Sequence, residues 1–65
     1  MTAKAARFYE LFHRVCETSY QDGRAMNDPQ STPETIDATL RGTKDANWNL
    51  IVHLRTMTEE DLKSL

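Results

Sequence analysis

An all-α fold is predicted: an antiparallel hairpin of two long helices closed by a short C-terminal helix, a small three-helix bundle with apolar surface left over for dimerisation. Three observations predict it. Apolar residues recur three and four apart through two long segments, each segment opens on a helix-start signature, and no stretch sustains period-two alternation. Without repeats or low-complexity tracts, residues 1–65 read as a single helical domain. Its parts are a helix over about 3–22, a loop over about 23–32, a helix over about 33–56 and a short helix over about 59–65.

The first helix opens after Thr2, whose hydroxyl can accept from an unpaired amide of the first turn. Ala5, Phe8, Phe12 and Val15 form its apolar stripe, with Leu11 on one flank and Tyr9, Cys16 and Tyr20 on the other. That arc spans roughly 180°, against about 100° for an ordinary surface helix, so it needs more than one neighbour. Lys4, Arg7, Glu10, Arg14 and Glu17 fill the opposite side, with Glu10 and Arg14 at i,i+4 spacing. Gly23 is the expected stop, although Ala25 and Met26 can carry the helix a turn further.

Asp28-Pro29 marks the connection. Pro33 then suits a first helical position, where its missing amide costs nothing, with Thr32 as N-cap or Ser31 and Glu34 as a capping box. Ile36, Leu40, Thr43, Asn47, Leu50, Leu54 and Met57 hold a heptad-like seam, with Ile51 beside it. The seam keeps its phase across Gly42, which favours one helix to about Arg55 over two helices broken at Gly42. Thr58 and Asp61 have capping-box spacing, and the acids of Glu59-Glu60-Asp61 suit the first turn of a third helix offering Leu62 and Leu65 to the core.

A chain of 65 residues buries only about 60% of its unfolded surface, and chains this short usually need a staple. Cys16 is the single cysteine, so no internal disulfide forms, and no Cys/His group has zinc spacing. Elimination leaves self-association or a partner. Eight Lys and Arg against ten Asp and Glu, a net charge of −2, lack the basic excess of nucleic-acid binders. No stretch approaches the roughly 20 apolar residues of a membrane span, and the N-terminal residues lack a signal peptide's apolar run. A lone thiol fits a reducing compartment, so a cytoplasmic location is expected, the host's cytoplasm if the gene is viral.

Little here points to catalysis. His13, Cys16 and Glu17 share one side of the first helix, but a transition-metal site wants three or four converging ligands, and His53 is expected in solvent. An exposed His13–Glu17 pair and a Cys16 acting as a small buried hydrophobe are the simpler reading. No glycine-rich phosphate loop, HExxH or GxSxG occurs, and a pocket of about 300 Å³ or more is hard to hold in so thin a fold. No cofactor, metal or catalytic residue is assigned.

Trp48 and Val52 lie four apart, about 100° or more from the centre of the second helix's seam, among Glu34, Arg41 and Asp45. They are either a second buried face packed by Tyr9, Cys16 and Tyr20, or an exposed anchor for another molecule. Asn47, polar in mid-seam, can set the register of a homodimer. The sequence therefore predicts a non-enzymatic protein–protein interaction module that binds itself, a larger protein, or both, as an adaptor, assembly factor or inhibitor. Trp48, Val52, Tyr9 and Tyr20 are its contact residues. The alternative is a nucleic-acid-binding accessory protein using the basic edge Lys4, Arg7 and Arg14, which Glu10 and Glu17 oppose.

Overall fold

The computed structural model describes all 65 residues. Helix α1 (Ala3–Asn27) and helix α2 (Pro33–Thr56) lie antiparallel, and a short α3 (Glu59–Lys63) folds back on the start of α1. The chain is 83% helical with no strand, the all-α hairpin its periodicity predicts.

All three helices start on a threonine. Thr2, Thr32 and Thr58 hold extended backbone, and their side chains accept from Ala5, Thr35 and Asp61 amides. Thr32, with Pro33 in the first turn, caps α2. Thr58 and Asp61 complete a reciprocal capping box, satisfying two amides that a short helix would otherwise leave bare.

α1 outruns its expected end near residue 22 by five residues, which leaves only 28–32 as the loop. Neither glycine takes positive φ, so Gly23 continues the helix instead of ending it. Ala25 and Met26 extend the turn, and Asn27 Nδ2 donates to the Gly23 carbonyl at 2.8 Å. Asp28 ahead of Pro29 ends it, its Oδ1 accepting from the Gln30 amide at 2.9 Å. α2 passes unbroken through Gly42.

The helix–helix seam holds the one real surprise. On α1 the positions turned inward are Phe8, Leu11, Val15, Thr18, Asp22 and Ala25, and on α2 they are Ile36, Thr39, Thr43, Ala46, Leu50, His53 and Met57. Both sets alternate three and four apart, as helices crossing at a shallow angle require. The α2 set shares Ile36, Thr43, Leu50 and Met57 with the expected seam and is rotated from it by about an eighth of a turn. Leu40, Asn47 and Leu54, expected at the seam's centre, are exposed on its edge.

Small and polar residues explain the phase. Ala46, only 3% exposed, lets the two backbones approach. Thr39 Oγ1 donates to Asp22 Oδ1 at 3.0 Å, and Thr43 Oγ1 to the Thr18 carbonyl at 3.2 Å. Near the termini the Thr56 carbonyl accepts from Lys4 Nζ at 2.6 Å. His53, expected in solvent, is half-buried and meets the Lys4 carbonyl at 2.8 Å. A carbonyl only accepts, so Nε2 carries the proton there.

The core is correspondingly thin. Ala5, Leu11, Ala46 and Asp61 are the only buried residues, and Leu11 is the one large apolar side chain among them. Leu62 and Leu65, expected in the core, are exposed, because α3 turns Asp61 inward to serve its own cap. The molecule is a rod with extents of 46 × 16 × 12 Å, a single layer of helices.

Candidate functional site

The structure separates the expected contact residues. Trp48 and Val52 project from the side of α2 turned away from α1, and Trp48 is 58% exposed. Tyr9 and Tyr20 lie on the outer side of α1, eleven positions apart, both exposed. Tyr9 donates to the Leu65 carbonyl at 2.7 Å, and Arg24 lies over the Tyr20 ring at 5.9 Å from its centroid. The packing of Trp48 by Tyr9, Cys16 and Tyr20 does not form, because the seam turns these residues to opposite edges of the hairpin. Cys16, expected as a small buried hydrophobe, is exposed.

A different surface emerges between those edges. In an antiparallel pair the helices advance in opposite directions, so positions displaced from the seam in the same rotational sense fall on the same side of the pair. On that side α1 presents Phe8 at the seam's edge and then Tyr9, Phe12, Cys16, Ser19, Gly23 and Met26, without one charge. α2 presents Leu40, Lys44, Asn47, Ile51 and Leu54, with one charge inside the band and Asp37 and Arg55 at its rim. In a chain that is 28% charged, this depletion marks a face apart from the rest of the surface. Phe12 is 48% exposed, Ile51 44% and Leu40 40%.

Local geometry stiffens this apolar face at one end. The Phe8 and Phe12 rings stack with centroids 6.0 Å apart, and Tyr9 meets Phe8 edge-on at 5.6 Å. At mid-length sits the exposed Asn47, its Nδ2 donating to the Thr43 carbonyl at 3.0 Å. Hydrophobic periodicity singles out Asn47 but hides the face around it, because it places Leu40, Asn47 and Leu54 in the intramolecular seam. The legible signal was the row Thr39, Thr43 and Ala46, whose small side chains suit close helix approach.

The opposite side of the pair is polar. Arg7 Nη1 pairs with Glu10 Oε2 at 2.7 Å, so Glu10 takes Arg7 and not Arg14 as its partner. Of the basic edge Lys4, Arg7 and Arg14, Lys4 is engaged on the Thr56 carbonyl and Arg7 is neutralised. Arg14 alone has neither an ion pair nor a side-chain hydrogen bond. His13, Cys16 and Glu17 do not converge with another ligand into a group of three. Grooves larger than expected exist, about 710 Å³ at the loop end beside Tyr20, Arg24 and Thr35, but they are open shelves instead of enclosed cavities.

Asp61 is the one titratable group whose environment displaces it. The Thr58 amide, at 2.9 Å, and then the Thr2 hydroxyl hold its carboxyl below the ordinary 3.8. A carboxyl lowered by folding stabilises the fold above its unfolded value, and the contribution is lost as pH falls through the folded value. The cap's contribution to holding α3 should therefore weaken in acid, as pH falls below the ordinary carboxylate value. The thermal midpoint of the native chain should fall more steeply with acid there than that of Asp61→Asn, and parallel acid limbs would rule the cap out as the cause.

No protein-family model, curated protein or solved structure matches this chain. The residues themselves therefore carry the functional argument.

Proposed function

We propose that this chain is a small non-enzymatic protein–protein interaction module, working through an apolar helical face as an adaptor, assembly factor or inhibitor of a larger protein. One observation carries the reading: twelve large apolar or aromatic side chains are exposed, Phe12, Leu40, Ile51 and Leu54 together on one face, while the interior encloses one, Leu11. Placing so much apolar area in water forfeits about 25 cal/mol per Å², and contiguous patches of this kind mark interaction surfaces. Trp48 and Val52 lie on the back of α2, outside this face, where an exposed indole is suited to anchor a partner. Nucleic-acid binding is the weaker reading, since two of its three cations are already engaged within the chain.

Affinity capture from an extract of the native source tests the proposal. The immobilised chain should retain a larger protein, and Trp48→Ala/Val52→Ala should retain it at least tenfold less, because truncating a hot-spot aromatic costs about 2 kcal/mol or more. Helicity should be unchanged, since neither side chain touches the seam. Retention that is equal in the variant, or that vanishes between about 50 and 200 mM salt as phosphate-driven binding does, would count against it.

A further inference from the structure

We propose that the apolar face binds a second copy of this chain, giving a dimeric four-helix bundle. This rests on reading the face as an interaction surface and names its occupant.

Area is the first argument. A compact folded monomer of 7.5 kDa exposes about 4,250 Å². This chain exposes 4983 Å². The surplus, roughly 700 Å², is close to the roughly 800 Å² that each partner buries in a stable interface. Shape agrees. The radius of gyration is 14.6 Å. A compact chain of this length would have about 11 Å, and one of twice the length about 14 Å. The rod thus has the length of a body twice its mass and half the thickness. Stable domains stack two layers about one core, and a second copy laid on the bare side supplies the missing layer at a helix spacing of about 8–10 Å.

Pattern is the second argument. Phe12, Leu40, Ile51 and Leu54 line the middle of the face, Lys44 is the charge within it, and Asp37 and Arg55 stand at its rim. Lys44 lies one turn from Asn47 on the loop side, apart from the Phe12–Leu54 cluster. Asn47 and Cys16 lie at mid-length, given that Thr18 sits level with Thr43. In an isologous dimer with flush ends, mid-length meets mid-length whichever in-plane twofold relates the copies. Asn47 then lies where a polar group sets register, near the middle of the interface and one turn from Lys44.

Sedimentation across the micromolar range should give twice the 7.5 kDa chain mass. Phe12→Glu/Ile51→Glu should sediment at 7.5 kDa with its helical circular dichroism retained, because both side chains are outside the intramolecular seam. Should that variant lose helicity, Asn47→Asp is the second arm: it sets one carboxylate in the central apolar strip and should weaken dimerisation at least tenfold. A short bismaleimide on the single thiol, Cys16, should join two native chains and fail to join the variants. A monomeric native chain at tens of micromolar, or cross-linking equal in native and variant chains, overturns the proposal. If the monomer still captures a larger protein through Trp48 and Val52, the dimer falls and the interaction module stands. If capture fails as well, both fall.

Discussion

Leu11→Ala should cost about 2–3 kcal/mol and lower the thermal midpoint by about 10–20 °C. Leu11 is 8% exposed and is the only large apolar side chain enclosed between α1 and α2. Removing it subtracts the transfer free energy of the lost carbons and leaves a gap. The site can partly collapse in so thin a fold, which places the cost near the lower end of the usual range for buried leucines. Against a total stability of about 3–10 kcal/mol for 65 residues, that is a large share. Phe12→Ala is the internal control. It is larger and only one position away, but it lies on the bare face, so in a dilute monomer it should cost well under 1 kcal/mol. Thermal and urea unfolding check both. A Phe12→Ala loss exceeding that of Leu11→Ala in a demonstrated monomer would mean the hairpin is packed on the other stripe, and the seam described above would be wrong.

That contrast shows how much the sequence could reveal. The class and the three helices follow from signals that act within a few residues: Thr2, Thr32 with Pro33, and Thr58 with Asp61 all cap as their spacing predicts. Gly23 misled because glycine is enriched at helix ends for its access to positive φ, and here it does not use that access. The phase of the seam was not legible from hydrophobicity alone. α2 carries two overlapping stripes that share Ile36, Thr43, Leu50 and Met57, one adding Leu40, Asn47 and Leu54, the other Thr39, Ala46 and His53. Hydrophobic periodicity picks the first. Close approach of backbones, with the Thr43 hydroxyl and Lys4 finding carbonyls and the Thr39 hydroxyl a carboxylate across the gap, picks the second. A helix with both stripes has two neighbours to satisfy, and one chain supplies only one. The breadth of the α1 arc was readable for the same reason, whereas the occupant of the remaining face depends on area and shape that only three dimensions give.

Gly23→Ala/Gly42→Ala should stabilise the chain by about 1–2 kcal/mol and raise the thermal midpoint by roughly 5–15 °C. Both glycines lie in helix interiors with negative φ, where each costs about 0.5–1 kcal/mol relative to alanine through backbone entropy lost on folding. A Cβ built at either position meets nothing within 4 Å, so the added methyl displaces no neighbour. The two sites are on different helices and on opposite sides of the pair, so their effects should add. That placement also makes them diagnostic. Gly42 lies away from the apolar face, and its gain should hold at every protein concentration. Gly23 lies in the charge-free band of α1 toward the loop end, where its gain depends on the face having room for a methyl group. Equal gains from the two single variants, measured by thermal unfolding at low and at high protein concentration, are the expected result and would show that nothing covers that end. A gain at Gly42 beside a loss at Gly23 that appears only at high concentration would place another backbone directly against residue 23.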